Sequence, residues 1–113
     1  MERDLTTALQ RAIEAGDQVL TAEVMPPRGA DPSHMLAMAA SLQDRVHAVN
    51  VTDGSRAVMR MSSLASCKLL LEAGLEPVLQ MACRDRNRIA LQADLGAHAL
   101  GIRNLLCLSL IHI

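Results

Sequence analysis

The residues best equipped for chemistry stand where short apolar runs give way to polar ones. Glu23 is flanked by Ala22, Val24 and Met25. A carboxyl in such a setting is expected to be partly desolvated, which raises its pKa and lets it hold a proton near neutral pH. The same position also suits a structural carboxylate paired with Arg28 or another arginine. Pro26 and Pro27 stiffen the link and hold Glu23 and Arg28 in fixed relation. Further on, Thr52-Asp53-Gly54-Ser55 gathers hydroxyls, a carboxylate and backbone N–H groups around a permissive glycine. Such a loop can grip the polar edge of a cofactor, or simply be a turn capping the next helix. Gln80 both donates and accepts, toward a heterocycle or toward a neighbouring loop.

Other chemical groups point less sharply. Cys83 is a potential nucleophile, but no histidine is close in sequence, so a bystander thiol is the simpler reading. Arg84, Arg86 and Arg88 read as a solvated face, with anion binding as the alternative. Cys67, Cys83 and Cys107 form no CxxC pair, which argues against a zinc knuckle or disulfide framework and for a reduced, cytoplasmic compartment. His34, His47 and His98 make no HxxxH or HxH pair, so no metal site is expected. The 7 methionines read as core filler.

Composition sets the outer bounds. The chain has 113 residues, 50% apolar and 20% charged, with a net charge of −1. That balance suits one globular domain and excludes a basic nucleic-acid arm or a disordered linker. With no Phe, Tyr or Trp there is no platform for stacking bases. No apolar run is long enough to cross a bilayer, and the opening MERDLTTALQ lacks a hydrophobic signal core. Neither nucleic acid nor membrane is an expected partner.

The elements that position these groups follow from hydrophobic spacing. Leu5, Ala8, Leu9, Ala12 and Ile13 fall on one face of a helix, with Gly16 just beyond it. A strand is expected over 19–24, stopped by Pro26 and Pro27. Asp31 and Pro32 open a helix whose buried stripe is Met35, Met38, Ala39 and Leu42. A second strand is expected over 48–51. A helix over about 58–73 buries Met61, Leu64, Ala65 and Leu69, and Gly74 ends it. A third strand runs near 76–81. Asp85 is placed to cap a helix carrying Ile89, Ala90, Ala93 and Ala97, and a fourth strand starts at Asn104.

Strand starts near Val19, Ala48, Glu76 and Asn104 recur at a nearly constant interval, the length of a right-handed βαβ unit. Four such units with no Gly-rich phosphate loop after the first strand point to an α/β fold, a (β/α)8 TIM barrel of which only the first four βα units are present. In such barrels the chemistry sits at the C-terminal ends of the strands. That rule gathers Glu23, Thr52, Asp53, Ser55 and Gln80 on one rim. Residues 1–108 read as the N-terminal half of a barrel domain. Residues 109–113 read as a non-native tail, because the ending from Leu108 to Ile113 matches, in one frame, the translation of a transposon-end sequencing adapter.

These residues carry a family resemblance. Thr21-Ala22-Glu23-Val24-Met25-Pro26-Pro27-Arg28-Gly29 resembles the E-x-x-P-P-R signature that opens the methylenetetrahydrofolate reductases. Val49-Asn50-Val51-Thr52-Asp53-Gly54-Ser55 resembles their V-T-x-G loop, and Gln80-Met81-Ala82-Cys83-Arg84-Asp85 is similar to their third-strand end. The segment 101–108 is similar to the lead into a Gly-Asp loop. The resemblance implies reduction of 5,10-methylenetetrahydrofolate to 5-methyltetrahydrofolate in one-carbon and methionine metabolism. It implies FAD (or FMN) as cofactor and NAD(P)H as co-substrate, that is, an oxidoreductase acting on a CH–NH group. Glu23 matches the catalytic acid that opens the folate's imidazolidine ring. Thr52, Asp53 and Ser55 match flavin-contacting positions, and Gln80 stands where many members carry histidine. Two departures stand out: Asp53 replaces a common aromatic, and the Gly-Asp pair expected after Ser109 is absent. The fragment is expected to be inactive alone, with a homo-oligomer or an electron-donor subunit as possible assembly. Two other readings stay open, another barrel enzyme with a strand-end Glu and a non-catalytic half-barrel accessory subunit.

Overall fold

The structure is a computed structural model and describes residues 6–109. Its elements run α1 (Ala8–Glu14), β1 (Thr21–Val24), α2 (Ser33–Ala40), β2 (Ala48–Val51), a 3₁₀ turn (Ser55–Ala57), α3 (Ser63–Glu72), β3 (Pro77–Ala82), α4 (Arg88–Asp94), a second 3₁₀ stretch (Leu95–Leu100) and β4 (Asn104–Leu108). The four strands form one sheet in the order β1-β2-β3-β4, every neighbouring pair parallel. This is an α/β fold with a four-stranded parallel sheet, consistent with part of a TIM-barrel-like domain. The tail residues 110–113 and Leu5 lie outside the described residues.

Strand alternation divides the sheet into two faces. Val24, Val49, Val51, Leu79 and Met81 turn toward the helices and join Met35, Ala39, Cys67 and Leu70 in the core. Glu23, Asn50 and Gln80 alternate with those core residues and lie on the opposite face. At the N-terminal end of the strands, α1 is held by a single carboxylate. The Ala8 and Leu9 N–H groups donate to Glu76 at 3.0 and 3.3 Å, and Asn104 Nδ2 donates to the same group at 3.0 Å. Thr7 Oγ1 accepts from Gln10 N at 3.0 Å, so the free donors of that helix end are met from two sides.

The strands match the sequence reading closely, while the helices start later and bury less. The third helix begins at Ser63 rather than near Val58, because Ser62 caps it through Ala65 N and the Met61 N–H is taken by Pro27 O at 2.7 Å. Asn87, not Asp85, caps α4, its side chain accepting from Ala90 N, while Asp85 pairs with Arg84. Asp31 accepts from Ser33 N at 3.0 Å, but α2 starts one residue later than expected, with Pro32 and not Asp31 at its N-cap. Ile13, Met38 and Ile89, expected inside, are exposed, as are Leu20, Leu105 and Leu106. Of these, Leu20 directly precedes β1 and Leu105 and Leu106 lie in β4, the two edge strands of the sheet.

Two outcomes follow. Glu76→Ala removes an acceptor shared by three donors and should lower unfolding free energy by about 2 kcal/mol in a urea titration, with Glu76→Gln costing less. Burial pushes the Cys67 thiol from 9.0 up to about 12. The folded state therefore holds that proton more tightly than the unfolded chain. Its contribution is complete below the ordinary value of 9.0 and is lost as pH rises toward about 12. A thiol titration of the native protein should find Cys83 and Cys107, which are exposed, and reach Cys67 only after unfolding.

Candidate active site

Glu23 and its neighbours are best understood strand by strand. Ala22 and Val24, which flank Glu23 in sequence, point through the sheet to the helical side, as alternation requires. Their apolar character therefore does not surround the carboxyl. Glu23 is exposed on the open face, contrary to the desolvated setting expected from sequence. Among the described residues its carboxylate accepts no hydrogen bond and joins no ion pair, so the pairing with Arg28 does not form. It lines a cleft of about 410 Å³ together with Pro26, His34, Met38 and Arg60. The proline loop behind it is tied down from the next unit. Arg60 Nη1 donates to Pro26 O at 2.8 Å, beside the Met61–Pro27 bond already described.

Register then relates Glu23 to the other candidates. Glu23 lies beside Asn50, and Asn50 beside Val78. Two residues further along and nearer the C-terminal rim come Thr52, just past the end of β2, and Gln80, on the same face of β3 as Val78. Thr52 is 7% exposed, and its hydroxyl is buried with no hydrogen-bond partner. The Gln80 carbonyl accepts from Ser63 Oγ at 2.9 Å, which anchors α3 to β3, while its side-chain amide has no partner among the described residues. Among the described residues the Thr52 hydroxyl shares this unpaired state with Arg60 Nε and Ser66 Oγ.

Asp53 behaves differently. Its Oδ2 accepts from Ala82 N at 2.8 Å, its Oδ1 accepts from Arg86 Nη2 at 3.1 Å, and Arg86 Nη1 adds a further close contact. Both carboxylate oxygens are thus committed to the protein. The Asp53 hydrogen bond is the main cause that holds the Arg86 guanidinium above its ordinary pKa. Ser55 is half-buried and opens the 3₁₀ turn. Around it the backbone is left-handed at Gly54 (φ 58°), Arg56 (φ 61°) and Ala57 (φ 57°). The last two conformations are unfavourable for residues bearing a Cβ. The turn is braced by Arg84 Nη2 donating to Gly54 O at 2.8 Å.

The structure therefore places Glu23 and Gln80 on one sheet face, puts Thr52 and Ser55 in the segment just past β2, and turns Asp53 toward Arg86. Sequence reasoning passed over Arg60, because the segment was read as helix, and took Arg86 as solvated, because its partner Asp53 is remote in the chain. Cys83 is exposed, with its N–H donating to Leu108 O at 3.0 Å. Among the described residues no His, Cys, Asp and Glu cluster suits a metal ion, and no helix is long and apolar enough to cross a membrane.

A family model described as methylenetetrahydrofolate reductase matches residues 8–109 of the chain. No curated protein matches it.

The orphan hydroxyl leads to a stability test that needs no ligand. Thr52→Val removes a buried polar atom that the protein leaves unpaired. Thermal unfolding of the variant should show stability unchanged or raised by up to about 1 kcal/mol, whereas a Thr with a protein partner would lose stability on the same change.

Proposed function

From a chain that belongs to the methylenetetrahydrofolate reductase family, and so to oxidoreductases of that kind, we propose the N-terminal half of a flavin-dependent (β/α)8 reductase. The reaction is reduction of 5,10-methylenetetrahydrofolate to 5-methyltetrahydrofolate at the expense of NAD(P)H. The observation that carries this reading is the set of unpartnered polar groups toward the C-terminal ends of the strands: the Glu23 carboxylate, the Thr52 hydroxyl and the Gln80 amide. Four further βα units would close the sheet across the free edges of β1 and β4 and cover the apolar residues exposed there.

The residues present fit a flavin. The edge of its ring system alternates hydrogen-bond donors and acceptors. The Thr52 hydroxyl supplies either, and the Gln80 amide supplies both. Ser55 adds a hydroxyl at the rim. When bound, FAD or FMN supplies the hydride chemistry that no side chain here can perform. Thr52 and Gln80 orient the cofactor edge, and the strained turn after Thr52 keeps that hydroxyl at a fixed height above the sheet. Glu23 acts as general acid. It donates its proton to the folate nitrogen whose bond to the methylene carbon breaks, opening the five-membered ring to an electrophilic iminium. Its exposure on the open face lets the carboxylate regain a proton from solvent between turnovers. Folate binding over that face supplies the desolvation that the strand neighbours do not.

The test separates the two half-reactions in the purified reductase. Glu23→Gln should lower the rate of folate reduction by roughly 10²- to 10⁴-fold, while flavin reduction by NAD(P)H stays within about 3-fold of the unsubstituted enzyme. Equal survival of both half-reactions would remove Glu23 from the mechanism. A purified enzyme without the flavin absorbance at about 450 nm would remove the cofactor assignment itself.

A further inference from the structure

Thr52 stands just past the end of β2, while Gln80 lies within β3, which stays paired to β4 as far as Ala82. The β2–β3 ladder ends with Val51 beside Leu79. Above that point no backbone pairing between these strands holds the two side chains at a set separation. The gap is bridged by a side chain. Asp53 directly follows Thr52, and its Oδ2 accepts the N–H of Ala82, two residues past Gln80, at 2.8 Å. Arg86 completes the bridge. It forks onto Asp53, donates to Ala82 O at 3.1 Å, and reaches Asp94 Oδ2 on α4 at 3.0 Å through Nε. The Asp53 and Arg86 side chains are only 10% and 16% exposed. A carboxylate so withdrawn from water is held there by its counter-charge, and loss of the arginine would leave it buried and unpaired.

We infer that Asp53 and Arg86 are positioning residues: together they form a strap that extends β2–β3 pairing beyond the backbone ladder and fixes Thr52 against Gln80. The inference rests on the proposed function in one respect, that the ligand held by Thr52 and Gln80 is a flavin. Arg86 acts through Asp53 in this proposal, not through a contact of its own with the ligand. Its planar fork meets two oxygens of one carboxylate at once, which lysine cannot do.

The test uses the full chain with Arg86→Met, Arg86→Lys and Asp53→Asn, and two independent readouts. In the unliganded protein, amide hydrogen exchange at Ala82 should accelerate about 10-fold or more in Arg86→Met and less in Arg86→Lys, with the amide of Leu70 in the core unchanged. Asp53→Asn retains an acceptor for Ala82 but not the charge, and should fall between the two; if Arg86→Met does not fold, it and Arg86→Lys carry the comparison. Flavin titrations of the reductase should then show affinity weakened roughly 10- to 100-fold by Arg86→Met and partly restored by Arg86→Lys. An Ala82 amide as protected in the arginine variants as in the parent overturns the strap. Faster exchange with unchanged flavin affinity overturns its role in positioning. A parent protein that binds no flavin sinks the proposed function instead, and the exchange result still decides the strap.

Discussion

In a parallel sheet each residue faces the opposite way from its neighbours, and in this protein that single constraint separates stability from chemistry. Val24, Val49, Val51, Leu79 and Met81 go to the helices and hold the core. The residues between them, Glu23, Asn50 and Gln80, go to the other side. A slip of one residue in any strand would exchange the two sets, sending a carboxylate into the core and a valine to the open face. Burial of the apolar set therefore fixes the register of the polar set. The site needs no device of its own to choose which side it faces.

Height along the strands is controlled separately, by the loops. The Pro26-Pro27 segment is gripped by Arg60 and Met61 from the following unit, and Asp53 reaches over to the end of β3. Each loop on the rim is thus held by its neighbour around the sheet rather than by its own strand. The left-handed residues Arg56 and Ala57 belong to this rim. Conformations that unfavourable persist only where surrounding contacts over-determine them, and they are commoner at sites of function than elsewhere.

The strands and their order of appearance were legible in the sequence, because short apolar runs and the recurring βα interval are local signals. Helix starts were less legible. Met61 looks like part of an apolar stripe, and only the contact with Pro27 shows that it precedes the helix. The surroundings of Glu23 were misread for a related reason. Adjacency in sequence was taken as adjacency in space, whereas strand neighbours lie on opposite faces. Arg86 was illegible for want of any local cue, since its partner lies across a whole βα unit. The exposed Ile13, Met38 and Ile89 show the limit of patterning, which reports which side chains seek cover and not what provides it.

Glu76 lends the fold a further property. By gathering the start of α1, the foot of β3 and Asn104 of β4 onto one carboxylate, it makes the base of the sheet a knot that owes nothing to the loops at the top. Sequence drift in those upper loops can reshape what the protein binds without slackening the foundation. Such a division lets one end of the molecule change while the other is held by these bonds.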